Sequence, residues 1–259
     1  MNKYTLITGA SRGIGEAMAR YCAGKKFNLI LIARSQERLR ELAQDLMKSY
    51  EVDVKFFAAD LSCAEAPQNI LQWCEENQIE VNTLINNAGV GLYGRFESLS
   101  LQQQMEVIQL NQVSVVNMIH TFLPHLMKQV KSYILNVAST ACFQPIPYMS
   151  VYAATQAFLH SYSLALRKEL IRKGVMVSCL CPGPTATDFF DRAGLAGLPV
   201  NSSEIKMPAQ EVAEIAIEGM LDHVAEIVPG TSNTIGAWFS KLFPNKLVLK
   251  TVASLFAPR

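Results

Sequence analysis

No apolar run in this 259-residue chain reaches the ~20 residues that cross a bilayer, and the run at the N-terminus is too short for a secretion signal. A cytoplasmic protein is expected. Excess charge is missing too: 23 Lys and Arg against 22 Asp and Glu leave a net +1, so nothing points to nucleic acid as a partner. No two cysteines have the two-residue gap of a zinc knuckle. Cys22, Cys63, Cys74, Cys142, Cys179 and Cys181 are scattered, which suits core thiols in a reducing compartment better than a disulfide framework. The four histidines, His120, His125, His160 and His223, have no HExxH spacing, and no metal site is expected.

Half of the residues are hydrophobic, ample for a large core. Short apolar runs ("KYTLIT", "FNLILIA", "DVKFFAAD", "VNTLINNAG", "SYILNVAS", "VMVSCLCPG") alternate with segments of helical period. Continuous apolar strands separated by helices predict an α/β chain with a doubly wound parallel sheet covered on both faces. Without repeats, low-complexity linkers or a composition break before about residue 230, one domain is expected over 1–230, followed by an extension over 231–259. Ligands of such sheets bind beyond the carboxyl ends of the strands. Four clusters fall there: "TGASRGIG", "NNAG", "NVAST" and "CPGPTAT".

In the first cluster Gly9, Gly13 and Gly15 would let backbone approach a pyrophosphate seated on the N-terminus of the next helix. The second strand ends in Ala33 and Arg34, where an NAD-selective site offers an acid. Arg34, with Arg12 in the glycine turn, suits the 2′-phosphate of NADP(H), unless Arg34 is simply a solvated helix-start residue. Asp60 could accept from the adenine amino group or cap the following helix.

Together these motifs resemble the short-chain dehydrogenase/reductase family over residues 1–230. "TGASRGIG" is similar to its Thr-Gly-x3-Gly-x-Gly cofactor turn and "NNAG" (86–89) to its sheet-stabilising motif. Asn111, Ser139 and Tyr152 match its asparagine, serine and active tyrosine, and "PGPTAT" (182–187) its nicotinamide-contacting segment. The resemblance implies a Rossmann-like seven-stranded sheet of order 3-2-1-4-5-6-7 and a homodimer or homotetramer. It also implies cofactor contacts from Ser11, Ile14, Leu61, Asn87, Ala88, Gly89, Pro182, Gly183, Thr185 and Thr187, besides the residues already named.

The family has Tyr-x3-Lys; this chain has Tyr152 and Gln156. In the family the lysine binds the nicotinamide ribose, lowers the tyrosine pKa and starts a proton relay through a water held at the asparagine. Glutamine can make the ribose bonds but supplies no charge. A unit charge at ~4 Å is worth ~4 kcal/mol at an effective dielectric of 20, roughly three pKa units. A tyrosine lacking that charge still donates a proton in carbonyl reduction but is slow to become the phenolate that alcohol oxidation requires.

Leu92, Tyr93, Phe96, Phe143, Ile146 and Tyr148 are expected to line an apolar substrate pocket, with 188–207 as a lid. The basic tail places Trp238, Leu242, Leu249, Val252 and Phe256 at helical spacing beside Lys241, Lys246, Lys250 and Arg259 and is split by Pro244. Packing on protein is expected there, with peripheral membrane contact as the rival. The functional expectation is an NADP(H)-dependent oxidoreductase acting on an apolar carbonyl or alcohol and impaired by Gln156. The alternative is a non-catalytic NADP-binding sensor or scaffold.

Overall fold

The computed structural model describes residues 3–196, 206–242 and 245–257. Six strands, β1 (Lys3–Thr8), β2 (Asn28–Ala33), β3 (Val54–Ala58), β4 (Glu80–Asn86), β5 (Ser132–Val137) and β6 (Val175–Leu180), pair in parallel. Two further two-residue strands, β7 (Thr185–Ala186) and β8 (Met207–Pro208), pair with each other beside the main sheet. A seventh strand of that sheet, β9 (Glu226–Ile227), closes the order β3-β2-β1-β4-β5-β6-β9. In chain order of the sheet's own strands this is the expected 3-2-1-4-5-6-7. The fold is a Rossmann-like doubly wound α/β sheet, and its strand β9, two residues long, is too short to leave an apolar run.

The strands are apolar on both sides because both sides are covered. Successive residues point to opposite faces, so Ile7, Leu29, Leu31, Ile85 and Leu135 enter one core while Leu6, Ile30, Ile32, Leu84 and Ile134 enter the other. The first core is roofed by α1 (Gly13–Gly24), α2 (Gln36–Tyr50) and α8 (Ala209–Leu221) through Met18, Leu39 and Val212. The second lies under α3 (Ala66–Glu76), α5 (Ser114–Leu126) and α6 (Ser150–Leu170) through Ile70, Phe122 and Leu159. Cys179 and Cys181 are fully buried in this second core, as their two-residue spacing along the strand predicts.

The helical segment 101–128 is not uniform. It runs as α4 (Leu101–Ile108), a π-helical turn (Gln109–Val113) and α5. A π-turn inserts a residue into the helical ladder and re-aims the side chains that follow, and here it carries Asn111. The expected lid, 188–207, begins with α7 (Phe189–Arg192), and its residues 197–205 lie outside the described residues. The tail forms α9 (Thr231–Leu242) and α10 (Asn245–Phe256). The break expected at Pro244 falls outside the described residues, as do Pro244 itself, Arg259 and the side chains of Trp238, Lys241, Leu242 and Lys250. Among the described residues, no helix is long and apolar enough to cross a membrane.

Candidate active site

A cavity of about 720 Å³ opens at the carboxyl ends of the central strands, within the range that holds a cofactor or substrate. Its cofactor end is shaped by backbone. Gly9 adopts φ +66, and a Cβ there would meet the Asn87 amide at 2.8 Å. Gly15 does not itself border the cavity. Its place is behind the turn, where a Cβ would stand 2.3 Å from the Gly9 carbonyl oxygen. The other expected cofactor residues, Ser11, Arg12, Gly13, Ile14, Arg34, Asp60, Leu61, Asn87, Ala88, Gly89, Pro182, Gly183, Thr185 and Thr187, all border the cavity with Gly9.

Thr8 and Asn87 brace this turn. The Thr8 hydroxyl accepts from the backbone N–H of Asn87 (2.9 Å) and of Ala88 (3.1 Å), and the Asn87 amide donates to the Thr8 carbonyl at 3.0 Å. Arg12 stands at the N-cap of α1 without capping it through its side chain, so the N–H groups of the first turn keep their capacity for an anion. That unspent helix end, in a cradle that a Cβ would fill, fits the pyrophosphate of a dinucleotide.

The arginines differ in their circumstances. Arg34 is exposed at the cavity rim. Arg12 pairs with Asp188 at 2.6 Å, a partner 176 residues away that no sequence motif marks. Asp60 does not cap α3, whose N-cap is Glu65. Its carboxylate instead accepts from the Ser62 backbone and hydroxyl at 3.0 and 2.7 Å. Those bonds, with Arg34 nearby, hold the Asp60 carboxyl below its ordinary range.

Ser139, Tyr152, Gln156 and Asn111 meet at the other end. Ser139 lies two residues beyond β5, at the N-cap of the 3-10 turn Thr140–Phe143, and accepts from the Ala141 N–H at 3.1 Å, which fixes its hydroxyl over that turn. Tyr152 is 8% exposed. Burial pushes its phenol up to about 12, outweighing the pull of the Ser139 hydroxyl in the other direction. Both N–H groups of the Asn111 amide are used, one on the Val90 carbonyl (2.9 Å) and one on the Thr155 hydroxyl (3.1 Å).

Thr155, absent from the expected site, ties these residues together. Its single proton goes to the Tyr152 carbonyl at 2.7 Å, so its remaining partners must be N–H donors. They are Asn111 Nδ2 and, at 3.2 Å, Gln156 Nε2. This settles the orientation of the Gln156 amide: Nε2 faces Thr155 and Oε1 turns away from it.

The substrate end differs most from expectation. Ile146 alone of the six proposed side chains borders the cavity. Leu92 and Tyr93 pack against the cluster around Tyr152, Phe96 is 65% exposed, and Phe143 lies edge-on to His160. Tyr148 sits at φ +66 just before α6, its ring 6.4 Å from that of Tyr93. The apolar wall is built instead by Met149, Phe189, Phe190, Leu195 and Phe256. Phe189 meets the Tyr152 ring at 5.6 Å. Phe256 arrives from α10, where Val252 is buried in the same cluster and the Tyr93 hydroxyl donates to the Phe256 carbonyl at 2.8 Å. The tail therefore packs on its own chain, as expected. No local signal marks Phe256 as a cavity residue.

Comparison with known proteins agrees with this geometry. A hydroxysteroid dehydrogenase-like protein 1 from Gallus gallus is 32% identical over 257 residues, covering 93% of this chain and 76% of the relative. The inactive hydroxysteroid dehydrogenase-like protein 1 of Homo sapiens is 31% identical over 187 residues, 71% of this chain and 56% of that protein. Among solved structures, a short-chain dehydrogenase from Sphingobium yanoikuyae in complex with NADPH superposes with TM-score 0.81 at 28% identity, covering 94% of this chain and 97% of that one. The sequence model for short chain dehydrogenase matches residues 3–195, and the chain belongs to that family.

Proposed function

We propose that this protein is an NADP(H)-dependent oxidoreductase that interconverts a carbonyl and an alcohol on an apolar substrate, working better as a reductase. The carrying observation is a buried, protonated Tyr152 beside Ser139, facing a cavity with an apolar wall on one side and a glycine turn on the other. The N–H groups of α1 and the turn at Gly9–Gly13 would hold the pyrophosphate. Arg34 would bind the 2′-phosphate, joined by Arg12 if Asp188 releases it. Gln156 Oε1 would accept from a ribose hydroxyl. A bound NADPH would supply the hydride.

This chain's own side chains then account for the proton. Ser139 donates to the substrate oxygen and polarises the carbonyl. Tyr152 gives its proton to that oxygen as charge develops, and the phenolate recovers a proton from solvent through the region of Asn111. Because the Asn111 side chain is spent on Val90 and Thr155, a relay water would be held by its backbone. Gln156, in the position of the family's lysine, adds no positive charge, so the phenol stays high and oxidation is slow.

Residues 1–230 form the catalytic unit in this reading. The extension 231–259 completes the substrate wall through Phe256 rather than seeking a membrane. A homodimer or homotetramer is proposed from the exposed apolar side chains Phe96, Leu101 and Met105, and light scattering tests it. A second reading, an NADP-binding sensor or scaffold without turnover, draws on Gln156 and on the likeness to the relative named as inactive. Fluorescence titration with NADPH, followed by NADPH oxidation with a panel of apolar ketones and aldehydes, separates the two. Tight binding with no turnover by either the unsubstituted chain or Gln156→Lys would favour the sensor.

A further inference from the structure

Beside the cavity, three segments bring a group of soft donor atoms together. Cys142 lies in the single 3-10 turn Thr140–Phe143 after β5, Cys181 directly follows β6, and His160 is on α6 two turns beyond Tyr152. Their ligand atoms all lie within 4.8 Å of one another. Cys142 and Cys181 have their sulfurs 3.7 Å apart, and Cys179 stands 3.8 Å from Cys181. No spacing motif announces this group, because its members are 18 and 21 residues apart and meet only through the fold.

The separations carry the argument. Zinc–thiolate bonds of ~2.3 Å in a tetrahedron put two sulfurs about 3.8 Å apart. The Cys142–Cys181 pair already has that separation, so a cation could bridge them with little movement. The histidine is prepared in the same sense. Its Nε2 is bonded to the Glu226 carboxylate at the edge strand β9, which leaves Nδ1 as the ligating atom. A carboxylate on the far nitrogen is the usual partner of a metal-bound imidazole, fixing its tautomer and raising its basicity. Phe143, edge-on to the ring at 5.3 Å, restricts its tilt. Cys142 and His160 are only partly buried, which provides a route in, whereas Cys181 is fully buried.

We propose that Cys142, His160 and Cys181 form a binding site for a thiophilic cation of the zinc class, with Glu226 orienting the imidazole and Cys179 within reach as a further sulfur. Two thiolates and an imidazole select zinc-like ions over magnesium or calcium, which prefer oxygen. Both thiols must ionise when the cation binds: two S–H bonds break, two metal–sulfur bonds form, and two protons leave to solvent. The bound ion would tie the turn after Ser139 to the segment entering Pro182–Gly183, and thus brace the two walls of the catalytic cavity against each other.

The test titrates the metal-free full chain, kept reduced by a phosphine, with Co²⁺ and follows the thiolate-to-cobalt charge-transfer absorption. Zn²⁺ is then added to displace the colour. One equivalent should bind, Zn²⁺ should replace it, and the melting temperature should rise on saturation. Cys142→Ala and Cys181→Ser should each weaken binding at least 100-fold, His160→Gln and Glu226→Gln about tenfold or more, and Cys63→Ser, an exposed thiol, not at all. Circular dichroism and NADPH titration check that each variant is folded. If Cys181→Ser does not fold, Cys142→Ala decides, since Cys142 is half-buried. No charge-transfer band at one equivalent, or a band that survives Cys142→Ala, would overturn the proposal.

Discussion

The two ends of the cavity are built by different means. At the cofactor end the shape is set by main chain: Gly9 and Gly15 nest against each other, and the Thr8 and Asn87 side chains hold the turn by bonding to backbone groups. At the substrate end the shape is set by side-chain packing. Phe256 reaches Tyr93 across 163 residues, and Phe189, Leu195 and Val252 pack round Tyr152 with no shared motif. A backbone-defined end tolerates almost no change of residue, while a packing-defined end can change its side chains and keep its shape. Binding of a constant cofactor and of a variable substrate would place these opposite demands on one cavity.

The harshest way to break the comparison is Gly15→Ala. The added Cβ meets the Gly9 carbonyl at 2.3 Å, and backbone cannot step aside as a side chain can. NADPH binding should fall beyond detection and the melting temperature should drop by roughly 10 °C, a cost of about 3 kcal/mol or more. Calorimetry and fluorescence titration read both; near-normal binding would mean the cofactor end is as forgiving as the other.

Tyr152→Phe comes next. The ring packs equally well against Phe189, but no proton remains to be given, so turnover should disappear while NADPH affinity stays within about threefold. In the proposed mechanism oxidation needs the phenolate, whereas burial pushes the phenol up to about 12. At pH 7 only roughly one molecule in 10⁵ carries that charge. Oxidation should therefore climb close to tenfold per pH unit through the alkaline range, and reduction should not gain from it. A flat oxidative profile would show that another group takes the proton.

Gln156→Lys sharpens the same point at the junction of the two ends. A cation beside the phenol should lower its pKa by up to about three units, moving the oxidative profile toward neutrality and raising both rates. An unmoved profile would mean that the charge at position 156 does not tune Tyr152. Arg34→Glu should be milder, inverting a cofactor preference of tenfold or more through loss of charge-assisted bonds at ~1.5–3 kcal/mol each. Equal affinities of the unsubstituted chain for NADPH and NADH would remove Arg34 from the 2′-phosphate. The smallest effect belongs to Phe256→Ala, which should raise KM for an apolar ketone several-fold, shift the melting point by only a few degrees and leave NADPH affinity unchanged. A change in NADPH affinity instead would mean that the two ends are not separable.

What could be read from the sequence follows the same division. Strands buried on both faces announce themselves as apolar runs, and glycines at the first turn do so by position, so the parallel sheet and the glycine turn were legible in the residues. The sheet order and most of the cofactor border came from the resemblance to the family. β9 was not legible, because two residues make no pattern. Nor was the pairing of Arg12 with Asp188, or the bond that makes Tyr93 a brace for α10 rather than a cavity residue. Thr155 was hidden for another reason: in sequence it is one apolar-segment residue among several, and its role exists only through its three hydrogen bonds. Phe96 misled because an aromatic near a motif is as readily a surface or subunit-contact residue as a pocket residue.

One thread runs through the dry centre of the molecule beneath all of this. Asn86 on β4 donates to Asn136 on β5 at 2.9 Å, and Asn136 donates to Ser163 on α6, also at 2.9 Å. Asn86 and Asn136 are register partners, and all three residues are buried. Ser163 follows Tyr152 by eleven residues, about 1,100° of helix rotation and only some 20° past three full turns; Gln156 is seven residues before it, again on that side. A helix held to a sheet by apolar contacts alone can roll by several degrees at little cost, since one methyl replaces another. A hydrogen bond in a dry interior does not permit such substitution, because a lost partner there costs about 1–3 kcal/mol. The chain from Asn86 to Ser163 thus works as an indexing pin, setting the azimuth of α6 and with it the direction in which Tyr152 aims its hydroxyl.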